Sequence, residues 1–287
     1  MEFHRTEAEL KQEIRGLQAR VSDLRFHESY QAISTGSLTP GCEICTRMAH
    51  MVVQLGFRCN ARCPFCFLDV TDSGSADGPE DSVWKGIFQH FDSRKHTLEG
   101  VSFSGGEPLL YMADLDACVT AMRQARPDLY FWIYTNGILA DEEHLNRLAE
   151  LGISEIRFNL AATDYGSQVV KNVERARGGF EYVVVEVPAY PKQKAQLLAC
   201  LRELDRIGID QLNLQELLIT NANMRRLDGE GYATGMLHLK KYFLYGSRRM
   251  TYEVMEHCRE HAYGFTVNDC SAGQFGKRLN NATPCKV

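Results

Sequence analysis

The chain has 287 residues, 44% apolar and 24% charged, with a formal net charge of −5. That balance fits a globular protein large enough for one big barrel or two small domains. No apolar run is long enough to span a bilayer, and no basic block is present to grip a nucleic-acid backbone, so neither membrane nor nucleic acid is expected as a partner. Residues Met1–Arg5 lack the apolar core of a signal peptide, which predicts a cytoplasmic protein. Ten cysteines in such a chain suit reduced, metal-serving thiols better than disulfides.

Residues 3 to about 30 predict a helix, because Leu10, Ile14, Leu17, Val21 and Leu24 recur at spacings of 4, 3, 4 and 3 between charged residues. The stripe fits a coiled-coil seam, and hence a homodimer through this helix, or equally an amphipathic helix lying on the domain that follows. After this extension (1–33) a linker (34–50) runs through Thr35-Gly36-Ser37-Leu38-Thr39-Pro40-Gly41 into Cys42-Glu43-Ile44-Cys45. A Cys-x2-Cys pair on a loop is placed to bind metal or to act as a redox dithiol.

The run Met51–Leu55 reads as a buried strand, so Arg58-Cys59-Asn60-Ala61-Arg62-Cys63-Pro64-Phe65-Cys66 forms a loop at its carboxyl end. Three thiolates so spaced can hold a 4Fe-4S cluster and leave one iron open, whereas zinc usually takes two Cys-x2-Cys pairs and no second pair follows. Cys59, Cys63 and Cys66, with aromatic Phe65 before the last cysteine, resemble the signature of the radical S-adenosylmethionine (radical SAM) superfamily. The resemblance implies that the open iron is chelated by the amino and carboxylate groups of SAM. It also implies that SAM is cleaved to methionine and a 5'-deoxyadenosyl radical, which abstracts hydrogen from substrate.

Farther on, apolar runs near 51–57, 100–104, 130–134, 155–160, 182–188 and 211–217 alternate with helical patterns near 81–95, 111–125, 141–152, 165–177, 192–208 and 236–261, the last broken at Gly246. Six strand-helix units predict an α/β fold with a parallel sheet over 51–250 and right-handed crossovers. The resemblance implies a partial (β/α)6 TIM-like barrel, leaving a short C-terminal segment (251–287). Cys118 and Cys200 stand at helical spacing among leucines and valines and are expected in the core.

In such barrels the loops at the strands' carboxyl ends converge on the site. The second predicted strand runs into Ser104-Gly105-Gly106-Glu107-Pro108, where paired glycines permit close backbone approach and Glu107 adds an anionic acceptor. This stretch resembles the superfamily's GGE motif, which receives the ammonium group of SAM. Thr135 and Asn136 of Thr-Asn-Gly end the third strand and could hydrogen-bond ribose hydroxyls. On the fourth strand Arg157 and Asn159 alternate with Ile156 and Phe158, and either pair could face inward. Asn159 and Gln215 or Glu216 are candidate contacts to SAM or substrate. The polar stretch Asn221–Gly235, with Arg225 and Arg226, is a candidate lid.

A Pro-Gly-Cys-x2-Cys before the cluster loop and an Asn-x-Cys-Ser near the end resemble a subset of radical SAM proteins. Cys42, Cys45 and Cys270 are thus candidate ligands of an auxiliary iron-sulfur cluster or a structural zinc, with Cys258 or Cys285 as a fourth. Cys270, Cys258 or Cys285 could instead donate hydrogen to a substrate radical, as in epimerising relatives. The expected enzyme acts on a small molecule or peptide and takes electrons from a donor such as flavodoxin or ferredoxin. A glycyl-radical-enzyme activase and a non-catalytic metal-binding interaction protein are the alternatives.

Overall fold

The computed structural model describes residues 7–27, 32–72, 81–227, 229, 231–234 and 241–271. It opens with α1 (Glu7–Gln18), β1 (Arg25–His27), β2 (Ala32–Ser34) and α2 (Pro40–Thr46). The body follows as β3 (His50–Gln54), β4 (Arg58–Cys59), β5 (Thr71–Asp72), α3 (Asp81–Arg94), β6 (Gly100–Ser104), α4 (Met112–Ala125) and β7 (Tyr130–Thr135). It continues as α5 (Glu142–Glu150), β8 (Glu155–Phe158), α6 (Ser167–Ala176), β9 (Tyr182–Pro188), α7 (Lys194–Ile207) and β10 (Gln211–Gln215). The chain then forms β11 (Leu218–Ile219), β12 (Gly231–Thr234), β13 (Lys241–Leu244), α8 (Ser247–Glu260) and β14 (Thr266–Asp269).

The main sheet has the order β1-β2-β14-β10-β9-β8-β7-β6-β3. From β3 to β10 every neighbouring pair is parallel, in agreement with the six alternating units read from the sequence. A seventh parallel strand, β14, joins β10 and pairs on its other side with antiparallel β2, so the barrel is partial, with β1 and β3 at its edges. Among the described residues no helix is long and apolar enough to cross a membrane.

Alternation along the strands gives the sheet two unlike faces. One buries Met51, Val53, Val101, Phe103, Phe131, Ile133, Ile156, Phe158, Val183, Val185 and Leu212 in the main hydrophobic core, among residues of the helices. The other presents Gln54, Ser104, Tyr134, Arg157, Glu186 and Gln215 to an interior cavity. The pair that faces inward on β8 is therefore Arg157 and, just beyond the strand, Asn159.

The helix predicted over residues 3–30 is shorter in the structure. It ends at Gln18, where Leu17 and Gln18 carbonyls accept from Arg20 and Val21 in tightened i→i+3 turns, and Asp23 takes a φ of 57°. Residues Arg25–His27 instead pair with β2. Ile14 and Val21 are buried in this chain's own core, and Gln18 donates to Tyr252 on α8 at 2.7 Å. Of the stripe, Ile14, Leu17, Val21 and Leu24 thus pack on this chain's own core.

The helix predicted over 236–261 is also corrected: residues 236–240 lie outside the described residues, 241–244 form β13, and the helix begins at Ser247, just after Gly246 with its φ of 85°. Within Asn221–Gly235, residues 221–226 form turns and 231–234 form β12, which pairs with β13, itself paired with β11. Packed strands of this kind leave a lid only part of that stretch.

The Cys42–Cys45 pair lies on a helix, not a loop. Pro40 supplies a pre-set φ at the start of α2, and the helix closes the amino-terminal end of the barrel. Glu155 accepts from the Gly41 amide at 3.1 Å and the Thr39 hydroxyl at 3.2 Å, while Gln211 accepts from the Thr39 amide at 2.9 Å. A Cβ at position 41 would stand 2.7 Å from the Arg157 guanidinium and 2.8 Å from the Glu155 carboxylate, so a side chain there would have to displace this buried pair.

Candidate functional site

The cysteine loop leaves β3 and is fixed by backbone contacts to the next crossover. Leu55 N donates to Ser104 O, Gly106 N to Gly56 O at 2.8 Å and Glu107 N to Arg58 O at 2.8 Å. Such backbone-to-backbone approach demands the two glycines: a Cβ on Gly105 would meet Gly56 O at 2.4 Å, and one on Gly106 would meet Arg58 O at 2.1 Å. Gly105 also sits at a φ of +131°, which side chains rarely tolerate.

The 220–226 segment braces the same loop from another side. Asn223 Nδ2 donates to Phe65 O at 3.0 Å, Thr220 Oγ1 to Phe67 O at 3.2 Å, and Arg226 to the carbonyls of Cys63 and Cys66 at 3.2 and 3.5 Å. Phe65 is buried, with its ring edge-on to Tyr190 at 6.1 Å. Arg226, from the stretch read as a candidate lid, therefore holds the cysteine loop.

Cys59, Cys63, Cys66 and Phe65 line a cavity of about 290 Å³ together with Ser104, Gly105, Gly106, Thr135, Asn136, Asn159, Gln215 and Glu216. Of the residues expected to contact SAM, Glu107 is missing from this lining: it is fully buried and accepts from Thr135 Oγ1 at 2.7 Å, Asn136 N at 2.8 Å and Leu109 N at 3.2 Å. It is a strut between two loops, and its burial raises its pKa to about 6 against the pull of these three donors. Thr135 serves Glu107 in turn, while Asn136 Nδ2 donates to Asn60 at 2.7 Å and approaches Cys59 Sγ at 3.8 Å.

Burial pushes the Cys63 thiol up to about 12, helped by the neighbouring Cys66 and Cys59, and raises Cys59 for the same first reason. Cys59, Cys63 and Cys66 in one cavity wall match the donor set of an iron-sulfur cluster, which takes thiolates and releases their protons on binding. A second observation marks a ligand space beside them: Asn159 Oδ1 is buried on the cavity wall with no hydrogen-bond partner.

The deeper wall is polar and closed on itself. Arg157 donates to Glu155 at 2.6 Å, Glu186 at 2.9 Å and the Tyr134 hydroxyl at 3.2 Å, and Asn213 donates to Glu186 at 2.8 Å. Alternation on β8 announced the polar pair, but neither Glu155 nor α2 was foreseen as its support. Cys45 and His50 lie at the same wall, their Sγ and Nε2 3.8 Å apart.

The candidate auxiliary ligands are not gathered into a compact single-ion shell. Cys42 Sγ accepts from Gln211 at 3.1 Å and Asn213 at 3.4 Å, whereas the Cys270 amide donates to Leu214 O, farther along the same strand. Among the described residues the donor atoms of Cys42, Cys45 and Cys270 do not all lie within 4.8 Å of one another, so the compact shell of a zinc site is not formed. Cys270 and Cys258 are buried and are not among the residues lining the cavity; Cys285 lies outside the described residues. Cys118 and Cys200 are in the core, as expected.

A family model described as the Radical SAM superfamily matches residues 53–211, more than half of the chain. A Methanocaldococcus jannaschii protein provisionally named as a glycyl-radical enzyme activating enzyme is 23% identical over 214 residues, covering 71% of this chain and 57% of that one. The PqqA peptide cyclase of Gluconobacter oxydans is 27% identical over 128 residues, covering 44% of this chain and 34% of the cyclase. The chain therefore spans about half the length, or less, of these relatives. Among solved structures, Streptococcus suis SuiB bound to S-adenosylmethionine superposes with a TM-score of 0.56 at 16% identity, over 78% of this chain and 50% of SuiB. That likeness carries the fold: a partial barrel of parallel strands.

Proposed function

Because the chain belongs to the radical SAM superfamily, we propose that it holds a 4Fe-4S cluster on Cys59, Cys63 and Cys66, binds SAM beside it, and removes a hydrogen atom from a peptide or small-molecule substrate. The observation that carries this reading is the common cavity: three thiols, the Gly105–Gly106 backbone and the unpartnered Asn159 Oδ1 line one space. Bound there, cluster and sulfonium together would supply the one-electron cleavage that yields a 5'-deoxyadenosyl radical. The chain's own part is to bind, orient and exclude water.

Gly105 and Gly106 would offer backbone to the methionyl end of SAM, Asn136 and Asn159 their amides to its polar groups, and Phe65 an apolar wall. Thr135 and Glu107 act behind them as positioning residues, since the carboxylate holds both Thr135 and the Asn136 amide. Gln215 and Glu216, on the far wall, are suited to either SAM or substrate. An external donor such as flavodoxin or ferredoxin would supply the electron. The protein thus resembles in role the peptide-modifying and activase relatives, and the M. jannaschii similarity supports the activase as the second reading.

An auxiliary iron-sulfur centre on Cys42 and Cys45 would need Cys270 or another group to move toward α2. Iron and zinc per chain in the Cys42→Ala/Cys45→Ala variant tests it, and an unchanged content rejects it. The main reading is tested by anaerobic reconstitution followed by dithionite and SAM. Formation of 5'-deoxyadenosine that depends on Cys59, Cys63 and Cys66 is expected; its absence would favour a non-catalytic metal-binding protein.

A further inference from the structure

The last turn of α8 reads His257-Cys258-Arg259-Glu260-His261, which puts residues i, i+3 and i+4 on one helical face. One donor atom from each of His257, Glu260 and His261 lies within 4.8 Å of the other two. Alternation of buried and exposed positions accounts for a polar face here, but it does not require two imidazoles and a carboxylate to converge.

The ring orientations add an independent constraint. His261 Nδ1 lies 2.9 Å from the His257 carbonyl oxygen, which can only accept, so Nδ1 is the donor there and Nε2 is the ring nitrogen left to meet a ligand. A histidine whose other nitrogen donates to a backbone carbonyl is in the state that metal ligation uses. Its ring is also flanked, by His257 at a centroid distance of 4.0 Å and by Tyr263 at 5.6 Å and 23°, which limits its rotation. Finally, the three donors stand at a helix carboxyl terminus, where unsatisfied carbonyls favour a cation.

We propose that His257, Glu260 and His261 form a binding site for a divalent transition-metal ion, separate from the cysteine cavity. Two imidazoles and one carboxylate suit zinc and its neighbours and not calcium or magnesium, which take oxygen ligands. Glu260 and His261 are exposed, so water completes the shell. The ion would clamp the last turn of α8 just before Ala262, whose φ of 53° turns the chain toward β14. Because α8 also carries Arg248 and Tyr252 to Asp269 of β14, metal supply would be coupled to the stability of this flank of the sheet.

The test is equilibrium dialysis of the cluster-reconstituted protein against zinc under anaerobic conditions, with His257→Ala/His261→Ala and Glu260→Gln beside it. We expect the wild type to retain about one zinc per chain more than the double variant at equal free zinc, with Glu260→Gln weakened by about tenfold. Zinc should raise the thermal midpoint of the wild type and not of the double variant. Near-ultraviolet and visible absorbance of the cluster should be the same in all three, which separates this site from the cysteines. Equal zinc retention in the wild type and a double variant that keeps its cluster absorbance would overturn the proposal.

Discussion

Glu107 accepts the hydroxyl of Thr135 at 2.7 Å from a position with no exposure to solvent. The contact joins the loop after β6 to the carboxyl end of β7, and the same carboxylate takes the Asn136 and Leu109 amides. Burial of the charge raises the Glu107 pKa from 4.5 to about 6, so the folded state binds this proton more tightly than the unfolded chain does. The sign follows: the residue's contribution is most favourable below pH 4.5 and is lost as pH rises through about 6. In urea titrations the unfolding free energy of the wild type should therefore gain on that of Glu107→Gln by about 1.5 kcal/mol between pH 7 and pH 4.5. A pH-independent difference between the two would refute the assignment of the strained proton to Glu107.

Gly106 gives the sharpest steric prediction. Alanine there would bring Cβ to 2.1 Å from Arg58 O, a backbone atom that cannot swing away, so the cysteine loop itself must shift. Gly106→Ala should cost about 1–3 kcal/mol of stability and weaken SAM binding measured by equilibrium dialysis. Gly86→Ala, on α3 with open space around it, serves as the control and should leave SAM binding unchanged.

The Arg157 side chain lies between Glu155 and Glu186 and is 2% exposed. Removing the cation would leave two buried carboxylates facing each other, which typically costs about 3–5 kcal/mol. Arg157→Met should show that loss in chemical denaturation. A loss below about 1 kcal/mol would mean that water enters the barrel and screens the pair.

The six parallel strands were legible because each is a short apolar run bounded by turns, and their order follows from the crossovers. The cluster loop and the paired glycines were legible because chemistry fixes their spacing. Residues 241–244 were misread because an apolar run fits helix or strand alike, and the choice is made by β11 and β12, which pair around β13. Likewise nothing near Glu107 announces that its carboxylate turns inward to Thr135, 28 residues away. The α2 helix was missed because seven residues carry little periodicity; it is held by Glu155 and Gln211, far along the chain.

Arg226 is the extreme of that pattern, since it reaches Cys63 O across 163 residues of sequence. Its guanidinium is exposed, so the two carbonyl bonds contribute little to global stability, and Arg226→Ala should change the unfolding free energy by less than about 1 kcal/mol. The carbonyls it holds belong to two of the three cluster cysteines, however, and freeing them lets the loop breathe where the thiolates must stay converged. Loss of cubane absorbance to a chelator under anaerobic conditions should therefore be faster in Arg226→Ala than in the wild type, and Arg226→Lys, which supplies a single point donor, should fall between them. Identical decay in all three would assign the cysteine loop's rigidity to Asn223 and the Gly105–Gly106 backbone alone.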